Sequence, residues 1–595
     1  MRSNKVDSTR SSDALEPPTS TQGRLPSTRK RFWECLEEKW NGIQVGHQGA
    51  YSVERLESFD YYCKTTSWTR VILVCLLTPI PALLTALLLE CLPLQPPSEG
   101  WAANWVFWIR LTLATVIFGF VGMSKLVTLV PDLNPTFKRR QLVAWGASAA
   151  YVGTAVPAAI ILGFPIPLMW YVGGFFVVIH FQAMLLLVFG WKPFRIRSRN
   201  LQRFLSYHAA FMTLANIYPL YKILYGFVPV RYRGIVAVLV LPMWRFLARQ
   251  FIVKLTRGLE DFMAQIVAMT IDLFSALFVS ACMSTTTSTY LSMIFIAADI
   301  GQSLLEVWDI HLYAKTVLQL LRSSQHFNGE LSKDSPFSTN ACTSNLVAWI
   351  LAVTRDPHAF HITSLKDVRL RACCPHPMSE EQEHTLQELE MSGVYSDIVS
   401  SQALHQLPRA IRVGVAPDFP TNCNQITKFT AKSAATDRKI NDAHFADQDS
   451  TEDVRHCRAS AKRSESLVRQ GLRLLFHCEY LTLVEYVECV VPLIFVTFKS
   501  VLKHLPNAIY YPGGADNWET GAVTNILVFA ALEISSLLLL HFFLQRKFSF
   551  SPLYQLAFTL ETQIYIVQAE LFIEILFLLQ YELEHYGKQK NMLQI

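Results

Sequence analysis

Charge is what this chain has least of. Only 17% of its residues are Asp, Glu, Lys or Arg, against a hydrophobic share of 51% and a mean hydropathy of +0.25. Soluble globular domains carry about 25% charged residues, so a chain of 595 residues with this composition is not an ordinary multidomain soluble protein. The net charge is a modest +6. It follows membrane topology rather than gathering on one face, which argues against a nucleic-acid partner. The twelve cysteines form no regular framework, and Cys75, Cys282 and Cys489 lie inside apolar runs, so a disulfide scaffold is excluded. Cys91 alone is expected near the outer surface. Walker A, GxGxxG, HExxH and GxSxG motifs are absent, and no enzyme activity, cofactor or metal site is assigned. Cys373, Cys374 and His376, with Cys423, His456 and Cys457, could be drawn together as a zinc site, but their spacing fits no standard pattern and reads as isolated thiols. His477, Cys478 and Glu479 are adjacent on a helix and must point different ways.

Runs of about 20 apolar residues, each able to cross roughly 30 Å of hydrocarbon, are abundant instead. They predict an all-α polytopic membrane protein with ten or eleven spans. Residues 1–50 read as a cytosolic tail, without the apolar core of a signal peptide; 31–40 could form a short amphipathic helix. Eight spans are expected within 51–321, near 71–92, 105–130, 142–162, 166–189, 204–227, 234–253, 262–283 and 290–310. Pro79 and Pro81 break the first, freeing carbonyls that neighbours or water must satisfy. Arg110 and Lys125 are expected to snorkel from the ends of the second, and Arg245 and Arg249 to sit at an inner interface. Residues 322–479 are polar and read as a cytosolic domain and linker, with a short apolar helix at 345–353, an acidic helix at 379–390 and linker over most of 420–460. Spans resume at 481–502 and 522–544, and a last helix at 563–581 closes the block 480–585 before a tail at 586–595. The Lys/Arg-rich segments FKRR, KPFRIRSRN and QRKF face the cytosol together with the N-terminus by the positive-inside bias. Which membrane holds the protein stays open, as do the oligomeric state and whether the last helix crosses.

The unusual feature is polar stripes on oily helices. In 289–310, Asp299, Gln302, Glu306 and Asp309 fall within an arc of about 80° at 100° per residue. Gln265 and Asp272 share a face of the preceding span, with Asp261 at its inner end. Glu485, Glu488, Pro492 and Lys499 lie within about 60° of arc, and Gln563, Glu570 and Glu574 within about 40°. Glu533 and His541 mark the tenth span. A carboxylate facing lipid near the bilayer centre costs about 2.5–3.5 kcal/mol, so these stripes must face protein or a wet cavity. Basic residues at similar depth look scarce.

Two readings follow. The first is a cation or proton-coupled solute transporter, with Asp272, Asp299, Gln302, Glu306, Glu533, Glu570 and Glu574 along the path. The alternative is a non-transporting membrane receptor or scaffold whose cytosolic segment binds partners or anionic lipid. Arg455, Arg458, Lys462, Arg463, Arg469 and Arg473 form a polybasic juxtamembrane helix suited to anionic head groups, although inside-positive topology alone would also place them there. Partners on these readings are the lipid bilayer, anionic head groups, and a cation or small solute.

The segment YSVERLESFDYYCKTTSWTRVILVCLLTPIP, continuing through PLQPPSEGWAANWVFWIR, resembles an expanded family of multi-pass transmembrane proteins of oomycetes, of the Phytophthora type. The likeness covers roughly residues 50–325. It implies an integral membrane protein and carries over no functional residue.

Overall fold

In the computed structural model, the described residues are 44–130, 133, 135–190, parts of 201–214, 227–285, 289–331, 346–395 with short gaps, and 449–587 apart from 515–517 and 519. Residues 1–43, 191–200, 215–226, 332–345, 396–448 and 588–595 lie outside them, and with them the expected amphipathic helix at 31–40, most of the expected span at 204–227 and the basic loop after residue 190. The described residues from Val45 onward form one compact unit. The secondary structure is helical; the described residues hold no strand, only an isolated bridge between Leu365 and Tyr395.

Helix α1 (Val53–Thr65) starts where the Ser52 side chain accepts the Arg55 N–H. The first span follows as two halves, α2 (Trp68–Leu77) and α3 (Ile80–Glu90). The break falls at Pro79, which has no N–H to offer the Cys75 carbonyl. The Tyr486 hydroxyl donates to that carbonyl at 2.7 Å, and Gln568 Nε2 donates to the Thr78 carbonyl at 2.7 Å. The carbonyl freed by Pro79 and another at the break are thus met by side chains from two other helices.

Next come α4 (Trp105–Leu129), α5 (Phe137–Leu162) and α6 (Met169–Phe189), packed in sequence order. Gly119 sets the α4–α5 approach: a Cβ there would lie 2.6 Å from the Cα of Ala144. Arg110 and Lys125 do not snorkel. Each is fully buried, because each has a carboxylate to meet. Arg110 bonds Glu90, which also accepts from Tyr511 Oη at 2.7 Å. Lys125 Nζ lies 3.9 Å from Glu570 and 3.7 Å above the Phe211 ring.

Helix α7 (Val230–Thr256) carries Pro242, Arg245 and Arg249. Helix α8 (Glu260–Val267) continues through a π-helical turn, Ala268–Asp272, into α9 (Leu273–Thr285). Helix α10 (Thr289–Leu331) runs far beyond the expected span. After the short, buried α11 (Leu346–Arg355) and the acidic α12 (Glu380–Ser392), α13 (Asp449–Leu502) extends unbroken for 54 residues, so the expected linker ends earlier than composition suggests. Helix α14 (Thr520–Phe548) precedes α15 (Pro552–Thr562) and α16 (Ile564–Gln580), which meet at a bend of 84°.

Among the described residues, seven helical stretches are long and apolar enough to span a bilayer, or eight if the bent α15–α16 pair counts as one. They make this an integral membrane protein in contact with lipid. Helices α7 and α10 also run continuously through the segments expected as spans at 234–253 and 290–310. In the most apolar 18-residue window, 94% of residues are buried for Glu260–Ser284 and 83% for Ala459–Leu502, against 17–33% for the first, third, fourth and last of the seven. The bundle is therefore built around α8–α9 and α13, with the others presenting apolar faces outward.

The segment around α11 and α12 is tied to the bundle by a polar hub. Arg55, fully buried, donates to Glu479 at 2.8 and 2.9 Å and to the Asp261 carbonyl at 2.6 Å. Arg369 pairs with Asp261 at 3.1 Å, and the Cys373 N–H donates to the same carboxylate at 2.6 Å. Burial, followed by repulsion from Arg55, pushes the nearby His376 imidazole down to about 4, so it packs neutral beside the Phe558 ring. Cys373 and His376 share no metal-like geometry among the described residues; the remaining members of the zinc grouping lie outside them or have side chains that do.

Candidate functional site

The polar stripes converge. Arg245 and Arg249 lie four residues apart on α7, one turn of the same face. Arg245 Nη2 donates to Asp272 Oδ1 at 3.1 Å and bonds Glu488 Oε1 at 2.5 Å, while its Nη1 donates to Gln302 at 3.2 Å and lies 4.0 Å from Asp299. Arg249 Nη2 donates to Asp272 Oδ1 at 2.6 Å, with Nη1 3.9 Å from Glu306. Gln302 in turn donates to Glu306 at 3.1 Å. The π turn positions Asp272: the extra residue there turns the carboxylate toward α7 without ending the helix.

Beside Arg245 lies an acidic corner. Asp299 on α10, Glu488 on α13 and Glu533 on α14 have carboxylate oxygens within 4.8 Å of one another. Asp299 Oδ2 and Glu533 Oε2 are buried without a hydrogen-bond partner, as are Glu485 Oε2 and Asp272 Oδ2. Acceptors facing acceptors in a dry interior need a proton or a cation between them.

Every residue expected on the stripe of 289–310 is accounted for, though not in one place. Asp299, Gln302 and Glu306 join this site with Asp272 and Glu533. Asp309 lies apart, 3.3 Å from His47 Nε2. Glu570 and Glu574 belong to a second network: Glu570 accepts from Tyr207 and Gln265 and faces Lys125, with Glu574 buried beside it. The expectation that basic residues are scarce at this depth is corrected by Arg245, Arg249 and Lys125. Arg245 and Arg249 turn into the bundle to meet these carboxylates rather than sitting at an inner interface. Their helical spacing inside an apolar run was the available signal, since two guanidiniums there must find carboxylates. Of the polybasic group, Lys462, Arg463 and Arg473 are exposed, Arg469 pairs with Glu465 at 2.9 Å and Asp367 at 3.3 Å, and the side chains of Arg455 and Arg458 fall outside the described set.

A pocket lies elsewhere, lined mostly by apolar residues of α4, α5, α6 and α16 including Phe118, Trp170 and Phe577. None of the acidic site's residues lines it. No protein-family model, curated protein or solved structure matches the chain.

Proposed function

We propose that the protein moves a cation or protons across its membrane through the carboxylates of Asp299, Glu488 and Glu533. Their convergence from three helices, with orphaned oxygens facing one another, is the observation that carries this reading. Charge balance supports it. Six carboxylates (Asp272, Asp299, Glu306, Glu485, Glu488 and Glu533) gather around two guanidiniums among the described residues. Asp272 and Glu306 are met by Arg249, and Glu488 by Arg245, but Glu533 has only other carboxylates at hand. A buried acid in that setting exchanges a proton or holds a cation, and intramembrane carboxylates of this kind mark ion and proton pathways. On this reading the N-terminus faces the cytosol, and the likeness to the oomycete membrane-protein family reflects shared architecture.

The test is ion and proton flux in liposomes holding the purified full chain, wild type beside Asp299→Asn and Glu533→Gln. Both variants remove charge without changing shape. Flux that falls at least tenfold in each, with the unfolding temperature preserved, is the expected result. Wild-type flux in both variants sinks the proposal. A wild type silent toward protons and monovalent and divalent cations moves the assignment to the receptor or scaffold reading.

A further inference from the structure

We infer that His47, Asp309 and His477 form a binding site for a divalent transition-metal ion of the zinc class, separate from the acidic corner. The three residues come from distant parts of the chain. His47 closes the one-turn helix Val45–His47, Asp309 lies midway along α10, and His477 lies on α13. One ligand atom from each falls within 4.8 Å of the other two. A tetrahedral ion with bonds of about 2.0–2.2 Å needs ligand atoms roughly 3.3–3.5 Å apart. His47 Nε2 and Asp309 Oδ2 already lie at 3.3 Å, so only the His477 ring has to close in.

The surroundings fit an ion better than a simple ion pair. One proton shared between His47 and Asp309 would satisfy those two, but it leaves His477 Nδ1 buried without a partner. The two imidazole rings stand edge to face with centroids 5.1 Å apart, and Tyr313 packs edge-on against His47 at 5.1 Å. This close approach depends on Gly46, where a Cβ would lie 2.4 Å from the Cδ2 of His477. Two imidazoles and a carboxylate select zinc-class ions over magnesium or calcium, which prefer all-oxygen shells. The side chains of His47 and Asp309 are 16% and 26% exposed, which leaves an entry path and room for a water as fourth ligand. A metal here would pin the segment entering the bundle to α10 and α13. Further anchors of the segment include the Tyr51 N–H, which donates to the Leu472 carbonyl at 3.2 Å, and the Ala50 carbonyl, which accepts from Arg369 at 2.7 Å.

Cobalt(II) titration of the purified, chelator-treated full chain tests this, because a site with imidazole ligands gives visible ligand-field bands that zinc then bleaches. Wild type should bind one equivalent. His47→Gln and Asp309→Asn should each weaken binding at least tenfold and abolish the rise in unfolding temperature that zinc produces. Glu533→Gln should bind as wild type does. The proposal is overturned if no bands form, if His47→Gln and Asp309→Asn leave them unchanged, or if Glu533→Gln removes them, which would place the ion in the acidic corner. Asp309→Asn changes no shape, so it remains informative if His47→Gln folds poorly.

Discussion

Arg245 holds more of the interior together than any other cation in the acidic site, since it reaches Asp272, Glu488, Gln302 and Asp299 from one helix position. Removing one partner of a buried ion pair strands the other charge, at a cost of about 3–5 kcal/mol. Arg245→Met should therefore lower stability by that order, read as the midpoint of thermal or denaturant unfolding in detergent. The double variant Arg245→Met/Glu488→Gln should recover part of the loss, because the stranded charge is gone. A single-variant loss under 1 kcal/mol, or no recovery in the double variant, would show that the pair is not formed. At this scale the sequence revealed half of the site. Asp272, Asp299, Glu306 and Glu533 were legible because a carboxylate in an apolar run must face protein or a wet cavity rather than lipid. Their cations were not, because an arginine or lysine near a span end looks the same whether it snorkels or turns inward. The partner decides, and the partner lies on another helix: Glu90 for Arg110, Glu570 for Lys125. His47 was illegible for the same reason, its carboxylate lying 262 residues away.

Helices were the easiest level to read, and their breaks the hardest. The interruption at Pro79 was expected from the missing N–H, and so was the need for outside donors; that Tyr486 and Gln568 supply them could not be known before packing. The 84° bend between α15 and α16 has no proline at the turn to announce it, and the π turn before Leu273 has no sequence mark at all. The Pro79 break gives a clean test of compensation. Tyr486→Phe leaves the Cys75 carbonyl without its donor in a dry setting, which costs about 1–3 kcal/mol. In a Pro79→Ala background the alanine N–H can bond that carbonyl within the helix, so the same Tyr486→Phe change should cost under about 0.5 kcal/mol. Unfolding midpoints of the four proteins in this cycle measure the difference. Equal losses in both backgrounds would mean that Tyr486 stabilises by packing alone.

Across the whole molecule, orientation is set by where the positive charge falls. The loop after α3, LQPPSEGWAAN, has no Lys or Arg, while α1 and the start of α2 before the same span carry Lys64 and Arg70. Positive charge resists translocation, so the positive-inside bias predicts α1 inside and the α3–α4 loop outside. Nature has left a reporter at each end: Cys63 on α1 and Cys91 just past α3 are both exposed free thiols. With the protein expressed in the plasma membrane, a membrane-impermeant maleimide applied to intact cells should therefore label Cys91, and Cys91→Ala should abolish that signal. Cys63 should label only after the membrane is opened. The reverse pattern would invert the first span and with it every later assignment of sides. The acidic corner would keep its geometry, but the direction in which Asp299, Glu488 and Glu533 pass an ion would have to be redrawn. The His47 site would then face outward, because it lies on the same side of the first span as α1. Labelling at Cys91 thus fixes the frame in which both proposed ion sites operate.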